Sequence, residues 1–199
     1  MAKTVISVLA ILMSGIFQGE VNAMADLTGK KIVMIIAHEG FRDEELSVPL
    51  DIFKKYGANV KVASSSLETA KGKLGMKIKP DILYTDINAR DFDAVIFVGG
   101  PGGFRYLDDA RAHKVAKDTV AGGKVLGAIC MASTILSKAG VLEGKKVTVF
   151  PSEEDIQIVK EGGAQYTAAN VETDGRLVTA DGPQSADKFA EAIVRLLTK

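Results

Sequence analysis

Lys124-Val125-Leu126-Gly127-Ala128-Ile129-Cys130-Met131-Ala132-Ser133 reads as a strand, a sharp turn and the start of a helix, with the chain's single cysteine at the turn. The run from Lys124 to Ile129 is apolar and of the length of a buried strand, and Met131 to Ala139 is helix-compatible up to a stop at Gly140. Ala128 and Ala132 stand two residues before and two residues after Cys130. A nucleophile elbow forces its central residue into a strained turn where the side chains at both ±2 positions crowd each other, so they must be small. Such a turn presents its side chain at the carboxyl edge of a sheet and at the positive end of a helix. That setting favours thiolate over thiol, whose pKa is ~8.5 when free. The alternative is a buried structural cysteine, a common fate for this residue.

Outward from this segment the same alternation repeats. Lys31 to Ala37 (KIVMIIA), Asn59 to Ala63, Asp93 to Val98 (DAVIFV) and Lys146 to Phe150 are strand-length apolar runs. Between them, Asp43 to Tyr56 places Leu46, Leu50 and Phe53 on one helical face and stops at Gly57. Further helices are predicted over Arg111 to Ala121, from about Ser152 to Lys160, and over Ala186 to Leu197. Gly72 to Pro80 reads as a short irregular or hairpin segment, and Asp174-Gly175 as a turn between short strands. Strands alternating with helices imply an α/β fold: one doubly wound sandwich, its mostly parallel sheet covered by helices on both faces. In such sheets ligands bind where loops leave the carboxyl ends of the strands. Three loops do so after apolar strands: His38 to Glu45, Gly99 to Gly103, and Cys130 itself.

Composition narrows the function. The chain has 199 residues and is 47 % hydrophobic, enough for one domain with a sizeable core, and its 25 basic residues balance 25 acidic ones, so nothing asks for nucleic acid as partner. One cysteine allows no internal disulfide, and with two histidines (His38 and His113) a conventional metal site is not expected. No cofactor is implied. The glycines at 99–103 lack the order of a dinucleotide fingerprint, Pro101 interrupts them, and no Gly-Lys-Ser/Thr follows.

Residues 1–23 have a composition of their own. Lys3 precedes an apolar stretch from Val5 to Phe17 that is short for a membrane span, and Val21-Asn22-Ala23 matches a signal-peptidase site. The expectation is a cleaved signal peptide, export (to the periplasm in a bacterial cell) and no stable membrane insertion after processing. The competing reading is a start at Met24, which gives a cytoplasmic protein. Either way residues 24–199 form the single functional domain.

Ala128-Ile129-Cys130 with its small-residue turn, Pro101-Gly102-Gly103, and Glu45 four residues before Pro49 together resemble the ThiJ/PfpI family. The resemblance covers nearly all of the chain after residue 29, including Val147-Thr148-Val149-Phe150-Pro151 and Asp181-Gly182-Pro183. It implies a flavodoxin-like fold and a homodimer or higher homo-oligomer. It also implies that Cys130 is the nucleophile and Glu45 its partner, a buried carboxyl that stays protonated and hydrogen-bonds the thiolate. On the residues alone Glu45 reads rather as an exposed acid at a helix start, beside Asp43 and Glu44. Gly103 and Met131 can supply backbone N–H groups to an oxyanion. His38 is a possible accessory group because its loop leaves the first strand near Glu45, and Asp181, or Arg105 from a neighbouring subunit, could complete the site.

The departures from the family pattern also inform. Met131 stands where the peptidase branch has a histidine, Phe150 where the deglycase branch has one, and Arg42 where the peptidases often have an acid. No histidine follows His113, so neither an α/β-hydrolase triad nor a glutamine-amidotransferase site is possible. The resemblance then implies a cofactor-free glyoxalase or deglycase acting on small reactive carbonyls, because a thiol and one proton shuttle suffice for that chemistry. The alternatives are a cysteine peptidase or amidase, which needs an acid to expel an amine, and a non-enzymatic redox-sensing stress protein or chaperone.

Overall fold

The computed structural model describes residues 25–199; the segment read as a signal peptide and the alternative start at Met24 lie outside the described residues. Five parallel strands carry the fold: β1 (Lys31–Ile35), β3 (Asn59–Ser64), β7 (Ala94–Phe97), β8 (Val125–Ile129) and β12 (Leu177–Ala180). Their inner stretches are near-continuous Val, Ile, Leu and Ala because both faces of the sheet are covered. Shorter strands complete the set: β2 (Glu39–Phe41), β4 (Ala70–Gly72), β5 (Lys77–Ile78), β6 (Ile82–Leu83), β9 (Lys146–Val147), β10 (Gln165–Tyr166) and β11 (Val171–Asp174).

The main sheet has seven strands in the order β11-β12-β8-β7-β1-β3-β6, with only the edge strand β11 antiparallel. In register, Ile32 lies between Val60 and Ala94, and Phe97 lies between Ile35 and Ala128. Helices α1 (Asp43–Lys55) and α5 (Ala186–Leu197) pack together on one side, and α2 (Ala110–Ala121), α3 (Ala132–Lys138) and α4 (Glu153–Glu161) follow one another on the other. The doubly wound α/β sandwich anticipated from the alternation is therefore the observed fold. None of the helices among the described residues is long and apolar enough to cross a membrane.

Gly127 shows how tightly the layers close. A Cβ there would stand 3.0 Å from the Phe189 ring and 3.1 Å from an Ile193 methyl, so α5 can approach β8 only over a glycine.

Two segments differ from their sequence expectation. The strand expected over Lys146 to Phe150 stops at Val147 and pairs in parallel with β10 in a separate two-stranded sheet. The next amide, Thr148 N–H, donates to the Thr179 side-chain oxygen at 2.9 Å instead of to a ladder carbonyl, which frees Phe150 and Pro151 to turn toward the sheet's carboxyl edge. The His38 to Glu45 segment, read as a loop, contains β2, which pairs with β4 in a third small sheet; β4 and β5 form an antiparallel pair that begins two residues before the 72–80 segment read as irregular or hairpin.

Because β1, β7 and β8 are neighbours in the main sheet, their carboxyl ends lie side by side, and the three loops singled out from the sequence leave from one edge. The first two are tied together by a backbone hydrogen bond from Arg42 N–H to the Gly99 carbonyl at 2.9 Å, and the third is held to the end of β12 by Cys130 N–H donating to the Ala180 carbonyl at 2.8 Å.

Candidate active site

Cys130 adopts φ 63°, in the left-handed region that a non-glycine residue enters only when its surroundings compel it. Met131 caps α3 immediately after it. Strand β8, a strained cysteine and a helix in direct succession make the elbow that the flanking alanines predicted; Ala128 and Ala132 are both fully buried beside it.

Glu45 lies in the first turn of α1, yet it is not the exposed helix-start acid its neighbours suggest: it has no exposed surface at all. Its Oε2 accepts the Gly99 N–H at 3.0 Å, while Oε1 is buried with no hydrogen-bond partner. Gly99 makes the pairing of carboxyl and cysteine possible. A Cβ at this position would stand 2.7 Å from Glu45 Oε2, 2.7 Å from the Ile129 carbonyl oxygen and 2.8 Å from Cys130 Cβ. Two of those three neighbours cannot swing aside. Gly99→Ala is expected to lower stability by roughly 1–3 kcal/mol, the usual cost of overpacking, and to part the two reactive groups; urea unfolding and Cys130 alkylation read the two effects separately.

The electrostatics follow from this enclosure. Burial raises the Glu45 carboxyl from the ordinary range to about 7, against the opposing effects of hydrogen bonds from Cys130 and Gly99 and of the Arg42 charge. Burial also pushes the Cys130 thiol up to about 12, reinforced by the Glu45 charge and opposed by backbone N–H groups of Met131 and Gly100 that favour the thiolate. The expected lowering of the thiol by the helix does not dominate, because α3 spans only seven residues and Cys130 is 8 % exposed. Taken as one unit, the pair loses its first proton near neutrality and its second near pH 12. Burial thus disfavours the charged form of both groups, and the carboxyl gives up its proton more readily than the sulfur does.

The other sequence candidates separate clearly. Met131 keeps its backbone N–H at the sulfur, but Gly103 does not: its N–H donates to the Gly100 carbonyl at 2.9 Å inside a short 3-10 turn, and the second donor is Gly100 itself. Gly100 has φ 100°, a conformation only glycine adopts without strain, and this aims its N–H back toward the elbow. His38 does not line the cleft and its Nδ1 is buried without a partner. Asp181 is committed elsewhere, accepting from the Ser185 hydroxyl at 2.5 Å and the Asn170 amide at 2.8 Å across the turn that starts α5. His113 contacts the Leu107 carbonyl at 2.7 Å, away from the elbow's cleft.

Cys130 and Glu45 open on a cleft of about 530 Å³. Phe104, Phe150, Pro101 and Pro183 give it apolar walls; Arg42, Lys73, Glu154 and Asp155 give it charge. Arg42 is paired with Glu44 at 2.8 Å. Pro183 belongs to the Asp181-Gly182-Pro183 stretch that the resemblance included, whereas Glu154 and Asp155 of α4 were not singled out by sequence reasoning; the Ser152-x-x-Asp155 pattern after the Val-Phe-Pro strand end is the signal that could have found them. Among the described residues no cluster of three or more His, Cys, Asp or Glu side chains could hold a metal ion.

A doubly wound α/β sheet with a nucleophile-elbow cysteine, paired with a buried glutamate from the first helix, defines the class. The chain belongs to the DJ-1/PfpI family, whose model matches residues 30–196. It is 32 % identical to a deglycase of Pyrococcus horikoshii over 84 % of this chain and 99 % of that protein. It is likewise 32 % identical to a glutathione-independent glyoxalase of Caenorhabditis elegans, over 84 % of this chain and 89 % of the other. Among solved structures, a ThiJ/PfpI domain protein of Brachyspira murdochii matches with a TM-score of 0.81 and 36 % identity, covering 85 % of this chain and 98 % of that one.

Proposed function

We propose that this protein is a cofactor-free, cysteine-dependent enzyme of the glyoxalase or deglycase type that acts on small reactive carbonyls. The observation that carries the reading is the Glu45–Cys130 pair: two buried groups sharing one proton near neutral pH, opening on one cleft. The names of the relatives point the same way.

The chemistry needs no further group for its first steps. Sulfur bonds to the aldehyde carbon while Glu45 takes the thiol proton, and the carbonyl electrons move to oxygen, which the Gly100 and Met131 N–H groups meet. Glu45 hands its proton to that oxygen, giving a hemithioacetal. The same carboxylate then removes the hydrogen from the former aldehyde carbon, the electrons passing to the neighbouring carbonyl oxygen, and the enediol forms as that oxygen takes a proton; return of a proton to the neighbouring carbon with loss of the first hydroxyl's proton completes the isomerisation. The product is a thioester of a 2-hydroxy acid, which water releases. A peptidase reading is weaker because Met131 occupies the place where the peptidase branch has a histidine to protonate a leaving amine.

The test is methylglyoxal without added glutathione, following its loss and the appearance of lactate. Catalytic lactate formation that disappears in Cys130→Ala is expected; stoichiometric loss without lactate would leave a reactive thiol and favour a redox-sensing role. Export through cleavage after Ala23 and a homodimeric assembly belong to the same proposal, and amino-terminal sequencing and light scattering of the protein from its native cells check them.

A further inference from the structure

Asp155 is a buried carboxyl in the wall of the cleft that neither the fold nor the steps above employ. It is 3 % exposed, that remainder borders the cavity containing Cys130, and its Oδ1 is enclosed without a hydrogen-bond partner. Its sequence position suggests an ordinary use. Ser152 caps α4 and Asp155 follows three residues later, the spacing of a capping box, in which the serine oxygen accepts the N–H at the third position and the acid accepts the N–H of the cap. Only the first half forms. Ser152 Oγ accepts the Asp155 N–H at 3.1 Å, but Ser152 N–H donates to the Phe150 carbonyl at 2.8 Å, so the partner that would occupy the Asp155 carboxylate is taken. A buried carboxylate with one oxygen left without a hydrogen-bond partner costs stability.

We propose that Asp155 is the general base that activates water to release the acyl group from Cys130. This rests on the glyoxalase-type reading for its natural thioester, although the step is common to any acyl group on this sulfur. Glu45 lines the same cavity but is committed to the sulfur in the steps above, whereas Asp155 reaches the cavity from a different element and has no such commitment. The proton of a water molecule passes to Asp155 as the water oxygen bonds to the thioester carbon. The tetrahedral intermediate collapses, the C–S bond breaks with its electron pair on sulfur, the proton from Asp155 restores the thiol, and the carboxylic acid leaves. Nothing is oxidised or reduced. Burial raises the Asp155 carboxyl above its usual range, opposed by the Ser152 hydrogen bond and aided by Glu154, which strengthens it as a base.

p-Nitrophenyl acetate separates the steps. Its burst of nitrophenolate counts acylation of Cys130, and its steady phase reports hydrolysis of the acetyl-enzyme, without dependence on carbonyl isomerisation. In the full-length protein, Asp155→Asn is expected to keep a burst of one equivalent, which shows a folded and reactive elbow. Its steady phase should fall at least tenfold, with an acetylated protein accumulating by intact mass. With methylglyoxal the same variant should accumulate a lactoyl adduct. A steady phase within twofold of the wild type overturns the proposal, as does a lost burst, which would place Asp155 in acylation, or a wild-type acetyl-enzyme that does not turn over. A wild type that makes no lactate yet shows Asp155-dependent deacetylation would remove the carbonyl reading and leave this one standing.

Discussion

Glu45→Gln is expected to slow alkylation of Cys130 by iodoacetamide at pH 7 by at least about tenfold. In the wild type the pair loses one proton near pH 7, and that singly deprotonated pair is the reactive species. The rate should therefore rise about tenfold per pH unit below neutrality and level off above it. Glutamine keeps the shape and can still accept from the Gly99 N–H, but it cannot take a proton. The thiol must then ionise by itself. Its free pKa is ~8.5, burial raises it further, and the Met131 and Gly100 donors oppose that rise only in part. The rising limb should move from about 7 to above 8.5. A variant whose limb stays near 7 would show that Glu45 is not the group that sets the reactivity of the sulfur.

The same carboxyl should make the protein less stable as pH rises. Glu45 has a folded-state pKa of about 7, raised from an ordinary 4.5, so the folded protein holds this proton more tightly than the unfolded chain does. The stabilisation is fully present below pH 4.5 and is lost as pH rises through about 7. At ~1.4 kcal/mol per pKa unit the loss is about 3 kcal/mol between pH 4.5 and pH 8, an order-of-magnitude figure. Glu45→Gln removes this dependence and leaves that of every other group. The stability difference between variant and wild type, measured by urea unfolding, should therefore move in the variant's favour by about that amount from pH 5 to pH 8. An unchanged difference would mean that the carboxyl is not desolvated as its burial requires. Natural retention of an acid that costs stability at neutral pH is consistent with a role in chemistry.

Local patterns foretold much of this molecule, because local patterns are where the relevant physics is written. Apolar runs at 31–37, 93–98 and 124–129 had to be buried on two faces, and their alternation with amphipathic helices left little besides a doubly wound sheet. Ala128, Cys130 and Ala132 disclosed the elbow because the crowding that selects small residues acts over two residues of chain. Val149 and Phe150 were read as strand because their side chains suit one, but the ladder they needed depends on which neighbour remains unpaired, and the Thr179 hydroxyl claimed the Thr148 amide first.

Chemistry between distant residues was decided by the tertiary structure alone. Glu45 looks like any acid in a first helical turn, and only the packing of the β1 loop against Gly99 strips it of solvent and raises its pKa. The thiol pKa turned the same way: the sequence exposes the helix that follows Cys130 but not the burial that outweighs it. Which glycine offers its N–H to the sulfur, 100 and not 103, depends on a 3-10 turn that ties up the latter. His38 and Asp181 were near the site in reasoning about loops but are absent from the cleft, whereas Asp155 enters it from a helix more than 100 residues after Glu45. Fold and elbow follow from short-range patterning; proton affinities and site membership follow from burial and hydrogen bonding between segments that meet only when the chain has folded.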